Sequence, residues 1–160
     1  MKVMIVEDEM LLAMELETEV EMAGHVVTGT AMNRKQVGDL LRAHRPDFAF
    51  VDIHLQDGPT GIDIGRDLAS KGIPYVFVSG NIKKVPADFA GALGAIEKPY
   101  TMNGMKNALA YISAILVGEE DVTPPASLVL AGDDVLTTVS AGTRGPALLC
   151  DAQHIQARRD

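Results

Sequence analysis

The apolar positions of the chain follow two alternating arrangements. Five short runs are apolar almost without interruption, which is typical of strands buried on both faces of a sheet. These runs cover residues 3–6, 25–30, 48–53, 74–79 and 95–97. We therefore predict five buried strands.

The segments between these runs carry apolar residues at helical spacing. Residues that favour helix termini flank them: Gly24 and Gly72 follow two segments, Asn33 and Pro46 bracket another, and Pro86 begins a fourth. The predicted helices cover residues 11–22, 34–45, 62–71, 86–93 and 102–117. Strands that alternate with helices five times predict an α/β fold, a doubly wound parallel five-stranded sheet. In such sheets ligands bind at the carboxyl ends of the strands.

The pattern weakens after residue 118. Residues 119–160 begin with Glu119-Glu120-Asp121 and continue with a mixed Gly/Ala/Thr stretch. Residues 128–130 and 135–136 could pair as a small hairpin, and residues 147–158 could form a weak helix. We predict one domain over residues 1–118 and a flexible or partner-ordered tail over residues 119–160.

Composition narrows the classes of function. The formal net charge of −8 argues against a nucleic-acid partner, because such proteins normally carry a basic face. The chain has one cysteine, so no intrachain disulfide can form, which fits a reducing cytoplasm. It lacks an apolar run of membrane-spanning length, and its start is too short and too acidic for a signal peptide. We expect a cytoplasmic protein without a membrane or nucleic-acid partner.

Polar side chains stand where the predicted strands end. They are Glu7 and Asp8 after the first strand, Asp52 after the third, Ser79 after the fourth and Lys98 after the fifth. The carboxyl ends of parallel strands meet at one edge of the sheet, so these groups should converge. Each of them alone has an ordinary structural explanation in turns and helix starts; their joint occurrence is what favours a functional site.

Crowded carboxylates repel unless a cation lies between them, and Mg²⁺ prefers oxygen ligands. We predict a Mg²⁺ site in which Asp8 and Asp52 are direct ligands and Glu7 acts through water. The backbone carbonyl of His54, two residues beyond Asp52, is expected to contribute. The other histidines show no metal-ligand spacing.

The same groups suit phosphoryl transfer, which needs a nucleophile in line and neutralisation of charge. Asp52 is the predicted phosphoacceptor, Lys98 the cation for a phosphoryl oxygen and Ser79 a hydroxyl donor. Gly80 would leave space beside the acyl phosphate. The Lys98–Pro99 peptide is expected to be cis and to aim the lysine.

Four ordered segments resemble the response-regulator receiver family. They are Val6-Glu7-Asp8-Glu9, Val51-Asp52-Ile53 with Asp57-Gly58, Ser79-Gly80, and Lys98-Pro99-Tyr100. The resemblance covers about residues 1–118. It implies a flavodoxin-like fold with strand order 2-1-3-4-5, phosphotransfer from a sensor histidine kinase to Asp52, dependence on Mg²⁺, and a self-catalysed return to the unphosphorylated state.

Two features depart from the typical receiver. Typical members carry Tyr or Phe three residues before the lysine as a rotameric switch, and this chain has Ala95 there. The segment Pro74-Tyr75-Val76-Phe77-Val78-Ser79-Gly80 resembles the Pro-aromatic-x-Phe-x-Ser/Thr-Gly signature of an atypical, mostly single-domain subgroup from alphaproteobacteria. That likeness implies kinases of the HWE/HisKA2 type and a short or mobile fourth helix.

The leading hypothesis is a single-domain response regulator that is not an enzyme beyond its own phosphorylation and dephosphorylation. Its output would be a protein–protein interaction or drainage of phosphoryl groups from a shared kinase. The alternative is a pseudo-receiver that is never phosphorylated and acts as an interaction module. A Mg²⁺-dependent phosphatase and a transcription factor are less well supported, because the chain shows neither a second general base nor a DNA-binding pattern.

Overall fold

The computed structural model describes residues 1–132, which form a six-stranded sheet in the order β2-β1-β3-β4-β5-β6. Its strands are β1 (Lys2–Val6), β2 (Val26–Ala31), β3 (Phe48–Val51), β4 (Tyr75–Ser79), β5 (Gly94–Glu97) and β6 (Val129–Leu130). The first five strands pair in parallel, so the predicted order 2-1-3-4-5 is confirmed. The sheet has one strand more than the five predicted, because β6, which lies in the segment 128–130 that was predicted to form a separate hairpin, joins β5 antiparallel.

Four α-helices cover the two faces of the sheet. They are α1 (Met10–Met22), α2 (Arg34–Ala43), α3 (Gly61–Ser70) and α4 (Met102–Leu116). The predicted cap Asn33 accepts a hydrogen bond from the Gln36 N–H at 3.0 Å, and Gly24 and Gly72 adopt the positive φ that ends α1 and α3. The predicted helix-terminal roles of Asn33, Gly24 and Gly72 are therefore confirmed.

The core lies in two layers, one on each face of the sheet. Successive residues of β1 show the division: Val3 and Ile5 pack with α1 and α4, whereas Met4 and Val6 pack with α2 and α3. Strands buried on both faces are apolar at every position, which is why they appear in the sequence as runs rather than alternations.

The connection between β4 and β5 lacks the predicted helix at residues 86–93. Two short 3₁₀ turns, Ile82–Lys84 and Phe89–Gly91, take its place. Phe89 and Ala90 have φ values of 51° and 50°, which no α-helix contains. One local and one long-range hydrogen bond stabilise this path: Asp88 accepts from the Ala90 N–H at 3.0 Å, and the Tyr75 hydroxyl donates to the Ala90 carbonyl at 2.7 Å.

The start of the predicted tail packs on the domain. Leu128 is 5% exposed and belongs to the core layer of α1 and α4. Val129 and Leu130 pair with Ala95 and Gly94 of β5. The predicted hairpin partner at residues 135–136 and the predicted helix at 147–158 lie outside the described residues. Among residues 1–132, no helix combines the length and apolarity needed to cross a bilayer.

Candidate functional site

Asp52 is the first residue after β3 and lies at the centre of the sheet edge. Its backbone N–H donates to the Val6 carbonyl at 2.8 Å, which continues the β1–β3 pairing beyond the last residue of the strand. Asp52 is 7% exposed. The sheet thus fixes where this carboxylate stands.

Three carboxylates from the ends of β1 and β3 form one cluster. Glu7, Asp8 and Asp52 each offer an oxygen, and these oxygens lie within 4.8 Å of one another. Glu7 is held by its N–H, which donates to the Ala31 carbonyl at 2.9 Å, and by its Oε1, which accepts from the Glu9 N–H at 3.0 Å. Asp8 is half-buried, so the cluster is open to solvent on its side.

Lys98 joins this cluster from the end of β5. Its Nζ donates to Glu7 Oε2 at 2.5 Å and to Asp52 Oδ2 at 2.9 Å. Burial raises the pKa of the Glu7 carboxyl, and the hydrogen bond from Lys98 offsets only part of that effect. Burial alone would lower the pKa of Lys98, but its bonds to Glu7 and Asp52 outweigh burial and raise that pKa. The ammonium is therefore held in its charged form.

The donor set fits a hard divalent cation. Three carboxylates and one ammonium leave the cluster with a net charge of −2 when all four are ionised, and all the candidate ligands are oxygens. The backbone N–H of His54 makes a long contact of 3.4 Å to Asp52 Oδ1. The His54 carbonyl stays a predicted ligand.

Ser79 and Gly80 lie at the end of β4. Ser79 is buried; its Oγ accepts from the Asn81 N–H at 3.2 Å, and its carbonyl accepts from the Lys98 N–H at 2.9 Å. Among residues 1–132, a Cβ added to Gly80 would have no neighbour within 4 Å. The space beside an acyl phosphate stays a prediction. The Lys98–Pro99 peptide is cis, as expected.

Comparison of the sequence with known protein families agrees with this arrangement of parallel strands and strand-end polar groups. A family model for the response regulator receiver domain matches residues 3–110. The chain belongs to the response regulator receiver family. The receiver domain accounts for the whole strand-end cluster, from Glu7 to Lys98.

Relatives of this receiver domain include proteins called PhyR. The phyllosphere-induced regulator PhyR of Methylorubrum extorquens is 38% identical over 80 residues, which cover 49% of this chain and 30% of that protein. The match spans less than a third of the curated relative's length. The receiver domain of Erythrobacter litoralis PhyR is 28% identical, covers 76% of this chain and 94% of its own, and has a TM-score of 0.63. PhyR from Bartonella quintana, described as an anti-anti-sigma factor, is 32% identical over 66% of this chain and 45% of its own, with a TM-score of 0.55.

Ala95 occupies the position of the switch aromatic in this receiver domain. It is fully buried in β5, with Phe77 of β4 as its register partner on one side and Val129 of β6 on the other. The β4–β5 connection packs on the same core layer through Ile82, Val85 and Phe89. Residue 95 is thus surrounded by β4, β6 and the β4–β5 connection.

Sequence reasoning missed Gly61, the first residue of α3. A Cβ there would lie 1.9 Å from the Asp52 carbonyl oxygen and 2.6 Å from the Ile53 Cα. Only glycine lets α3 approach the end of β3 this closely. The available signal was a glycine directly before the predicted helix over residues 62–71.

Lys84 was also missed. Its Nζ lies 3.1 Å from Nε2 of His54 and joins the β4–β5 connection to the loop that follows Asp52. The other end of that loop is fixed by Asp57, which accepts from the Thr60 hydroxyl at 2.6 Å and from the Arg34 N–H at 2.9 Å. An exposed lysine such as Lys84 gives no sequence signal of its own.

Proposed function

We propose that this receiver domain accepts a phosphoryl group on Asp52 from a phosphohistidine of a sensor histidine kinase. One observation carries the proposal. A nearly buried carboxylate stands between two further carboxylates and a lysine, at the edge where every one of these residues is delivered by a strand end. A structural ion pair would need only one carboxylate for the lysine.

The transfer exchanges one bond to phosphorus for another. A carboxylate oxygen of Asp52 forms the new P–O bond, while the P–N bond of the phosphohistidine breaks and its electron pair returns to the imidazole. The Lys98 ammonium already donates to Asp52 Oδ2. It would donate instead to a phosphoryl oxygen as negative charge develops there. The Ser79 hydroxyl, which accepts from Asn81, keeps its own hydrogen to donate to a second oxygen.

Mg²⁺ is the cofactor that we propose for this step. Glu7, Asp8, Asp52 and the His54 carbonyl are the residues that would hold it. A bound Mg²⁺ supplies neutralisation of the phosphoryl oxygens. Phosphotransfer is therefore expected to fail in the presence of a chelator.

Output by a protein–protein interaction is the role we favour for the phosphorylated domain. The Bartonella relative described as an anti-anti-sigma factor supports a protein partner. Drainage of a shared kinase is the competing output, and the Pro74–Gly80 segment favours a kinase of the HWE/HisKA2 type. We place this function in the cytoplasm and propose no turnover of external substrates.

The test is phosphotransfer from a labelled cognate kinase with Mg²⁺. The wild-type chain and Asp63→Asn, which alters an exposed carboxylate on α3, should both become labelled. Asp52→Asn should carry no label, because the amide is not a nucleophile for phosphorus. Label on Asp52→Asn equal to that of the wild type would overturn the assignment.

The pseudo-receiver is the alternative, and Ala95 is the observation that favours it. Beryllofluoride with Mg²⁺ separates the two, because this mimic of a phosphoryl group should shift the amide resonances around Asp52 and Ser79. A spectrum left unchanged by both Mg²⁺ and beryllofluoride would favour the interaction module.

A further inference from the structure

A groove runs between α2 and α3, on the face of the sheet that these two helices cover. This α2–α3 groove has a volume of about 360 Å³ and extends along α2 from Arg34 to Arg42. That length is about two helical turns, or about 12 Å. Its floor is apolar, because Val37 and Ile64 are buried there and Leu41 is half-buried.

Gly38 lines the groove in the middle of α2, at a place where the fold itself does not require glycine. A Cβ there would meet only Arg42 Nη1, at 3.7 Å, which is an ordinary contact. On α3, by contrast, a Cβ at Gly65 would lie 2.3 Å from the Tyr75 hydroxyl oxygen. Glycine inside a helix destabilises it relative to alanine. The absent side chain at Gly38 therefore leaves room in the groove rather than in the core.

The two ends of the groove differ in charge. At the start of α2, Arg34 Nη2 lies 2.7 Å from Asp67 Oδ2, so the two charges cancel. At the other end, Arg42 pairs with Asp39, which a second cation of α2 shares, and the exposed Lys71 forms no ion pair with any of residues 1–132. This end therefore carries an excess of positive charge, although the formal net charge of the chain is −8.

The walls of the groove decide which kind of segment fits. Backbone groups in the middle of α2 and α3 are bonded within their own helices, so they offer an extended segment no strand to pair with. A helix satisfies its own backbone and needs only an apolar floor for its side chains. Side chains at positions i, i+4 and i+7 of a helix extend over about two turns, which is the length of the groove.

We propose that the α2–α3 groove is a docking surface for an amphipathic helix of a partner protein, with apolar side chains at i, i+4 and i+7 and carboxylates beside them. The apolar side chains cover the floor, and the carboxylates pair with Arg42 and Lys71. Gly38 lets the helix approach α2 closely. None of these residues belongs to the strand-end cluster, so the proposal does not depend on phosphorylation of Asp52.

The experiment uses the full-length chain and two fluorescent synthetic helical peptides of about 18 residues. Both carry leucines at i, i+4 and i+7, flanked by glutamates in one peptide and by lysines in the other. By fluorescence anisotropy at low ionic strength, we expect the glutamate peptide to bind at least about tenfold tighter. The net charge of −8 attracts the lysine peptide instead, so a preference for glutamate must come from the groove.

Three variants locate the binding site. Gly38→Leu fills the groove with a residue that favours helices, so the chain should stay folded and bind the glutamate peptide at least about tenfold more weakly. Lys71→Glu reverses one charge of the groove and should weaken binding about fivefold. Lys106→Glu is its matched control, since Lys106 is an exposed lysine of α4 that also forms no ion pair among residues 1–132. It should bind the peptide as the wild type does.

A glutamate peptide that binds the wild type no more tightly than the lysine peptide overturns the proposal. Equal binding to the wild type and Gly38→Leu, or to Lys71→Glu and Lys106→Glu, does so as well. Inorganic polyphosphate that binds more tightly than the glutamate peptide, with the same dependence on Lys71, would identify a simple anion site and also overturn it. If Gly38→Leu unfolds by circular dichroism, the comparison of Lys71→Glu with Lys106→Glu decides.

Discussion

Gly61 sets the distance between α3 and the backbone that carries Asp52. A side chain at this position would overlap the Asp52 carbonyl oxygen and the Ile53 Cα. These are backbone atoms, which cannot rotate away as a flexible side chain could. Overpacking against backbone typically costs about 1–3 kcal/mol and occasionally more. We predict that Gly61→Ala lowers the free energy of unfolding by about 3 kcal/mol in urea denaturation.

Gly132→Ala is the control for this substitution, because the same methyl group there meets no atom of residues 1–132 within 4 Å. It should change the free energy of unfolding by no more than about 0.5 kcal/mol. A Gly61→Ala chain as stable as this control would mean that α3 can shift away from Asp52 at little cost.

Tyr75 links β4 to the β4–β5 connection through its hydroxyl, which donates to the Ala90 carbonyl at 2.7 Å. Tyr75→Phe leaves that buried carbonyl without its partner and should destabilise the fold by about 1–2 kcal/mol at neutral pH. Burial raises the pKa of Tyr75 well above its ordinary value of 10.0. The folded state thus keeps the proton that the unfolded chain loses first.

The sign of the pH dependence follows. A group whose folded-state pKa is raised stabilises the fold below its unfolded pKa, and that stabilisation is lost as the pH rises above it. The advantage of the wild type over Tyr75→Phe should therefore shrink above about pH 10, by up to about 1.4 kcal/mol per pH unit. Urea titrations of both chains at neutral pH and at about pH 11 measure it; an advantage that is constant or grows contradicts the prediction.

The site residues were predictable one by one because parallel strands end at a common edge. Apolar runs located the ends of the strands, so Glu7, Asp52 and Lys98 could be assigned to one cluster without coordinates. Gly61 and Lys84 were not predictable in this way. Their roles depend on close approach of a helix start and on a contact between two exposed loops, and neither leaves a periodic pattern.

At the scale of elements, the connection between β4 and β5 shows where sequence patterns fail. Pro86 and the apolar residues after it favoured a helix, but tertiary contacts outweigh this preference. Asp88 both accepts from the Ala90 N–H and pairs with Arg66 of α3 at 3.0 Å. A strand at residues 128–130 was predicted, but with residues 135–136 as its partner. Its antiparallel pairing with β5 was not predictable, because a two-residue ladder is too short for a periodic pattern.

β5 carries a further prediction, which concerns the absent switch aromatic. Ala95 is enclosed between Phe77 and Val129 and is fully buried, so an aromatic ring there would overpack the core. Ala95→Tyr should lower the free energy of unfolding by about 3 kcal/mol or more rather than restore a switch.

Val129→Tyr is the matched control on the neighbouring strand. Val129 is the register partner of Ala95 and is about half-exposed, so a ring has room there, and tyrosine favours strands. Its stability should stay within about 0.5 kcal/mol of the wild type. Equal stability of both tyrosine variants would show that the interior beside residue 95 can reopen for a ring.

At the scale of the whole molecule, negative charge is concentrated as well as abundant. The chain carries a formal net charge of −8, and three of its acids converge at one sheet edge where Lys98 is the cation that bonds two of them. Self-repulsion of this kind destabilises the compact state, and a divalent cation bound only by the folded chain relieves it. The repulsion is concentrated in the cluster, so a cation bound in the cluster should reduce it most.

We therefore predict that Mg²⁺ raises the thermal midpoint of the chain more than Na⁺ does at equal ionic strength. Each tenfold excess of free Mg²⁺ over its dissociation constant adds about 1.4 kcal/mol to the free energy of unfolding. For a chain of this size, each kcal/mol raises the thermal midpoint by about 2–4 °C. Asp8→Asn removes one proposed ligand and should abolish most of the difference between the two cations. Asp63→Asn removes the same charge from an exposed position on α3 and should leave the difference intact. Equal responses of the two variants would mean that Mg²⁺ acts on the overall charge and that the cluster holds no specific cation.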